Sequence, residues 1–173
     1  AKMDKCINID TQVEPLVAAN AEVFCTIINT DDNLLIAGTP NECKDVIEQL
    51  NTKAMPLNMP NIIHCELARG QYNEMLNLYQ LPIAQKIATK LYSSSCYLPI
   101  PQHSKAIAVS IAKCLCQPVD FPKLVHRLYD DGARLFVEMG AGRSLSGWVD
   151  KILANKTDVG IEEHLSLPIN AKG

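Results

Sequence analysis

No C-x-x-C pair occurs in this sequence, although it holds seven cysteines scattered from Cys6 to Cys116. Without such pairs neither a zinc ribbon nor a dithiol redox couple can be assembled, and the odd, scattered set reads as reduced, mostly buried thiols. An excess of positive charge is also lacking. Sixteen Lys and Arg against nineteen Asp and Glu leave a net charge of -3 at pH 7, which argues against a surface built to hold nucleic acid. No apolar run reaches the length of a membrane span, and no basic and apolar leader opens the chain, so the cytoplasm is the expected compartment. What the sequence does have is 47% hydrophobic and 20% charged residues over 173 positions. That suffices for one domain of ordinary size or two small ones sharing an interface.

The first third alternates short elements. Asp10 and Thr11, with Glu14 three residues further on, form a candidate capping box ahead of an apolar series at Val13, Leu16 and Val17. Residues 23–29 and 34–38 are β-branched or aliphatic runs, and the polar cluster Thr30, Asp31, Asp32 and Asn33 between them predicts a hairpin. Cys43, Val46, Ile47 and Leu50 then fall at i, i+3, i+4 and i+7 behind Thr39 and Pro40, predicting a one-sided helix. An apolar stretch over residues 54–63 completes a strand, helix, strand, strand, helix, strand order. This is the ferredoxin-like arrangement, expected as a four-stranded antiparallel sheet with two helices on one face. The first unit is therefore placed at residues 1–62.

Beyond His64 the texture changes to longer helices. Tyr72, Met75, Leu76 and Tyr79 share one helical face, and a strand is expected over residues 90–97 before Pro99 and Pro101. Ile107, Ile111, Cys114 and Leu115 form one stripe, and Phe121, Leu124, Val125 and Leu128 another, predicting two helices side by side. The run 135–139, LFVEM, lacks alternation, as a strand buried on both faces would. Gly140, Ala141 and Gly142 then turn the chain into a helix carrying Leu145, Trp148, Val149 and Ile152. Strand, glycine turn, helix is α/β grammar, yet only about two such strands follow residue 62, too few for a stable sheet. The reading is an α+β chain: residues 1–62, then 63–154 as part of a larger domain, then 155–173 as an extension or linker.

Four motifs in this order resemble the acyltransferase domains of fatty acid and polyketide synthases, over roughly residues 1–154. The first is Ile27, Ile28 and Asn29 ahead of a turn and of Ile36, Ala37 and Gly38; the second is His64 and Cys65, with Leu67 following. Leu115, Cys116, Gln117, Pro118, Val119, Asp120 and Phe121 resemble the family's Leu-x-x-Pro-Val-x-Trp segment. The run from Glu138 to Leu145 resembles its closing Glu-x-Gly-x-Gly-x-x-Leu. The Gly-Ala-Gly turn and the surroundings of His64 look most like the acyltransferase of bacterial omega-3 polyunsaturated fatty acid synthases. The resemblance implies a ferredoxin-like small subdomain followed by the C-terminal part of an α/β-hydrolase-like subdomain. It also implies acyl transfer from coenzyme A or a carrier thioester, through a serine ester, to the phosphopantetheine arm of acyl carrier protein, without metal or redox cofactor. His64 matches the family's general base, the carbonyl at Cys114 matches the group that orients it, and Asn29 is a supporting residue at the junction, expected near His64.

Departures carry as much meaning. The family's nucleophile elbow, Gly-x-Ser-x-Gly, holds a strained serine at a strand-to-helix turn, and this sequence has none. The nearest approach, from Gly142 through Ser144 to Gly147, is one residue too long, so Ser144 is read as a helix cap. Ile62 and Ile63 precede His64 where malonyl-selective members commonly carry an aromatic residue, which leans toward another acyl group. The chain alone is thus expected to be inactive, a base without its nucleophile. Two other readings stand beside this one: a non-catalytic module docking a carrier protein or neighbouring synthase domain, and a self-contained hydrolase pairing Ser144 with His64. His103, His126 and His164 lack metal-ligand spacing and read as surface residues, and the serines at 93, 94 and 95 as solvated strand-end groups. Gly140 to Gly142, without the third glycine of a dinucleotide fingerprint, reads as a packing turn.

Overall fold

The structure, a computed structural model, describes residues 9–57, 59, 61–83, 88–154 and 163–170. A π-helical turn, Ile9–Val13, runs into α1 (Glu14–Ala19). Val13 occupies the N-cap of α1 with no side-chain cap bond. The hairpin forms as expected, with β1 (Val23–Thr30) antiparallel to β2 (Asn33–Gly38) and Thr30 opposite Asn33 at the turn. Helix α2 (Pro40–Leu50) starts with proline in its first turn, where the missing N–H costs nothing, and buries Val46.

The α+β class stands, and of the expected four-stranded antiparallel sheet the described residues show the β1–β2 hairpin but no strand over residues 54–63. Its first strand falls on residues 1–8, outside the described residues, and residues 54–63 pair with nothing where they are described. Pro56 removes a ladder donor from that segment, which disfavours a strand there. Instead, β1 takes its second neighbour from far along the chain: β5 (Val119–Asp120) lies parallel to it, Ile27 opposite Val119. The sheet order is β2-β1-β5, so one sheet crosses the boundary drawn at residue 62.

Gly38 shows why the motif glycine is there. A Cβ at this position would run into the backbone carbonyl oxygen of Glu22, far inside van der Waals contact, and neither strand can yield without breaking the Val23–Gly38 pairing. Gly38→Ala is therefore expected to destabilise the chain by about 1–3 kcal/mol or more. Chemical denaturation of the two proteins measures it; a shift below about 0.5 kcal/mol, the scale of a surface change, would mean that the strands approach less closely than described.

The later part is mainly helical. A 3₁₀ turn, Glu66–Gln71, leads into α3 (Tyr72–Tyr79), which packs along α4 (Ser104–Leu115). Between them, the strand expected over residues 90–97 shrinks to a small hairpin of β3 (Leu91–Tyr92) and β4 (Pro99–Ile100). Helix α5 (Phe121–Asp130) is capped by Asp120, whose carboxylate accepts from the Lys123 amide at 2.8 Å. It packs against α6 (Ser144–Ala154) and β1, so α4 and α5 have different principal partners rather than each other. Val125, Tyr129, Val149, Ile152 and Leu153 make one buried cluster, closed by Phe121, Phe136 and Trp148. The Phe121 and Trp148 rings meet edge to face at 6.2 Å.

Strand β6 (Leu135–Ala141) pairs in parallel with β7 (Leu165–Asn170), a strand from the stretch expected as an extension. The prediction of two buried faces fails here. Phe136 faces inward, while Leu135, Val137 and Met139 are 58%, 45% and 80% exposed and Leu165, Leu167 and Ile169 continue the same open apolar face. Gly142 turns the chain at φ 101°, a left-handed conformation that L side chains rarely adopt. The N-terminus of α6 is capped from outside the helix: the Glu138 carboxylate accepts from the amides of Leu145 and Ser146 at 3.3 and 2.8 Å and from the Ser146 hydroxyl at 2.8 Å. These bonds draw its pKa down. The cap expected at Ser144 is thus supplied by Glu138, and Ser144 is the first helical residue.

Candidate active site

His64 leaves the 54–63 segment in a left-handed conformation, φ 61°, which a β-substituted residue adopts only when its surroundings hold it there. Two bonds to the end of α4 do so. Its amide donates to the Leu115 carbonyl at 2.8 Å, and its ring Nδ1 lies 2.7 Å from the Cys114 carbonyl oxygen. A carbonyl can only accept, so Nδ1 carries the proton and Nε2 is left as the basic nitrogen of the neutral ring. Last-turn carbonyls of a helix lack intrahelical partners, and here two of them fix both the backbone and the ring of one histidine.

The Cys114 thiol stands beside the same ring. Its Sγ is 3.9 Å from His64 Nδ1 and 3.2 Å from Ser94 Oγ. The half-buried imidazole has its pKa raised by the thiol and by the Cys114 carbonyl, against the opposing effect of burial. Reciprocally, the thiol pKa is lowered by His64 first and then by Ser94, again against burial. The 2.7 Å carbonyl contact, much the shorter, orients the ring.

The serines at 93 and 95 are not solvated, contrary to the expectation from their run. Both are buried; Ser93 Oγ lies 2.8 Å from Ser95 Oγ and 2.5 Å from Ser110 Oγ on α4, and the Gln117 amide donates to the Ser95 carbonyl. This cluster locks the β3–β4 turn against α4 and so presents Ser94 to Cys114. Nothing in a run of three serines announces it, since Ser110 and Gln117 lie 17 and 22 positions away from their partners. Asn29 is buried in β1, where its amide donates to Asn33 Oδ1 at 2.7 Å. Through that bond it braces the hairpin turn. Ser144, at the start of α6, has no hydrogen bond to His64 among the described residues.

The other histidines are partly corrected. His103 caps α4, its Nδ1 accepting from the Ala106 amide. His126 holds its Nδ1 buried without a hydrogen-bond partner, and His164 is 19% exposed beside Asp150 and the Phe136 ring, so neither is a free surface group. Among the described residues no three His, Cys, Asp or Glu side chains are grouped to hold a metal ion, and no helix is long and apolar enough to cross a membrane.

A cavity of about 1140 Å³ opens between β2, α2 and residues 52–64. Its walls are mainly apolar, with Leu35, Ile47, Leu50, Ile62 and Ile63 among them, and His64 is one of the residues that line it.

No family model matches the chain. In sequence it is 26% identical over 149 residues to one subunit of the polyunsaturated fatty acid synthase of Thraustochytrium sp., a match covering 79% of this chain and 7% of that protein. Among solved structures it is similar to the acyl carrier protein S-malonyltransferase of Vibrio cholerae, with a TM-score of 0.78 at 17% identity over 96% of this chain and 53% of that one. It is also similar to a type II polyketide synthase malonyl-transacylase solved with its acyl-carrier protein, TM-score 0.77 at 16% identity, 96% and 53% covered. The acyltransferase domain from the second module of the salinomycin polyketide synthase gives 0.75 at 17%, covering 95% and 38%. The chain thus has the fold of the acyltransferase domains of fatty acid and polyketide synthases, over about half the length of the malonyltransferases that it matches.

Proposed function

We propose that the chain is the base-bearing part of an acyltransferase that moves an acyl group from coenzyme A or a carrier thioester to acyl carrier protein. The observation that carries this reading is the double anchorage of His64 to the end of α4, which holds the Nδ1 proton on the Cys114 carbonyl and leaves Nε2 to take a proton from a nucleophile. A serine hydroxyl is a weak nucleophile until such a base removes its proton. The serine would come from the part of the domain that precedes this chain, and the acyl-serine would then pass its acyl group to the phosphopantetheine thiol, His64 serving each half-reaction.

Two further features support a partial domain acting on an apolar acyl group. The open face of β6 and β7 exposes six aliphatic or thioether side chains in a row, a surface suited to more sheet and helix of the same domain. The cavity beside His64 is mainly apolar, with Ile62 and Ile63 in its lining, and the family resemblance implies that these two occupy positions where malonyl-selective members commonly carry an aromatic residue. A mainly apolar lining favours a hydrophobic acyl chain, of the kind that polyunsaturated fatty acid synthesis would supply. The same open face keeps a docking module as the second reading, in which the chain binds a carrier protein or synthase domain without performing chemistry.

Labelling separates the two. Incubated with radiolabelled acyl-coenzyme A, the chain alone is expected to form no ester that survives neutral hydroxylamine, whereas a polypeptide extended upstream through the missing elbow is expected to be labelled on that serine. Label on Ser144 of the chain alone would install the hydrolase reading. An extended polypeptide that stays unlabelled would leave docking as the function.

A further inference from the structure

Cys114 has a second role available to it besides lending its carbonyl. The thiol is held by two groups from two other segments, His64 Nδ1 at 3.9 Å and Ser94 Oγ at 3.2 Å, and is neither buried nor fully exposed. We propose that Cys114 is a modification site for soft, thiol-seeking electrophiles, built by the convergence of His64 and Ser94 on its Sγ, and that an adduct there disables the His64 base.

The thiolate is the reactive form of cysteine, and neighbours that donate hydrogen bonds to it or carry positive charge raise its share. Its place in the last turn of α4 works against that, because the C-terminal end of a helix disfavours negative charge. Stabilisation must therefore come from His64 and Ser94, because Tyr97 on the same β3–β4 turn, its pKa raised chiefly by burial against the backbone hydrogen bond from Asp120, is raised further by Cys114 and so offers the thiolate none. Of the two, His64 alone can bear positive charge. Arg69, on the turn before α3, acts on Cys116 instead. Three other thiols contrast with Cys114: burial pushes Cys25 up to about 11 and also raises Cys43 and Cys116. In each of those burial disfavours the thiolate.

With iodoacetamide the chemistry is a displacement. The sulfur lone pair of the thiolate forms a bond to the methylene carbon as the carbon–iodine bond breaks; iodide leaves, and the thiol proton has passed to buffer. The carboxamidomethyl group then occupies the space beside the imidazole, removes the thiolate partner that raises its pKa, and crowds it away from the Cys114 carbonyl. The modification itself rests on the contact geometry, and only the loss of the base rests on the acyl-transfer reading, so a chain that fails the labelling experiment above can still pass this one, and the reverse.

The test is the pH dependence of alkylation of the full chain by iodoacetamide, followed by peptide mass spectrometry, with the exposed Cys96 as the comparison thiol in the same tube. Cys114 is expected to reach half of its limiting rate at a lower pH than Cys96. His64→Gln is expected to move that midpoint up and slow Cys114 roughly 3- to 10-fold at about pH 7, since a larger thiolate share is partly offset by lower nucleophilicity. Ser94→Ala should move it in the same direction by less, and Cys96 should respond to neither. In the unsubstituted chain, alkylation at Cys114 should lower the titration midpoint of the His64 ring protons seen by NMR. A Cys114 midpoint at or above that of Cys96, which needs no variant to measure, would overturn the proposal. So would a midpoint indifferent to both substitutions, or a His64 titration that alkylation leaves in place.

Discussion

In a polypeptide that carries the upstream elbow as well as these residues, His64→Ala is expected to slow acyl transfer roughly 10²- to 10⁴-fold, the usual scale for losing a general base. The loss should appear in kcat as well as kcat/KM, because the proton is taken in the transition state and not on binding. Folding should change little, since the ring is half-buried and its amide bond to Leu115 survives the substitution. The pH profile gives an independent reading. The base must be neutral to act, and the Cys114 thiol and carbonyl hold the imidazole pKa above its ordinary value, so the acid limb should lie above the histidine reference of about 6.5. Cys114→Ser keeps the carbonyl and removes the thiol, and should bring the limb down. A longer polypeptide that transfers at its full rate with His64 replaced would remove histidine from the mechanism and with it the proposed function.

Ile152→Ala is expected to cost about 2–5 kcal/mol of stability. Ile152 is 4% exposed and shares its cluster with Val125, Tyr129, Val149 and Leu153, the contact by which α6 is held on α5. Removing its branched side chain gives up the burial of the lost carbons and leaves a cavity that ring-bearing neighbours such as Tyr129 cannot readily collapse into. Leu145→Ala, on the same helix but 44% exposed, should stay within about 0.5 kcal/mol. Denaturant midpoints at constant m-value make the comparison. Equal, small shifts would mean that α6 is not seated on α5 as described. Because α6 also packs on β1, a large loss at Ile152 should also loosen the hairpin, visible as faster amide exchange in β1.

Periodicity is a good guide wherever an element's partners lie nearby. The hairpin of β1 and β2 is legible because a polar turn of four residues separates two aliphatic runs, and α2, α3, α4 and α5 are legible because one apolar stripe each is enough to mark a buried face. The histidine and its carbonyl are legible only through motif order. Neither His64 nor Cys114 carries a local signal, being 50 positions apart, and it is the resemblance that joins them.

Tertiary structure decided the rest, for one physical reason: strand pairing and burial depend on which distant segment arrives at an edge or a face. Residues 54–63 are apolar enough for a strand, yet β1 pairs with Val119 and Asp120 instead, two residues that no pattern marks as a strand. The LFVEM run looks the same whether one face or two will be covered, and only the placement of β7 and α6 shows the second face open. Ser93, Ser95 and Ser110 are polar in sequence and drawn together in space because they satisfy one another. Glu138 caps a helix that starts six residues later because Gly142 bends the chain back toward it. Composition and spacing determined the class of the fold and the positions of its local elements. Which groups surround His64 was settled by the end of α4 meeting the chain that returns from the 54–63 segment, a long-range contact whose geometry no local sequence pattern encodes.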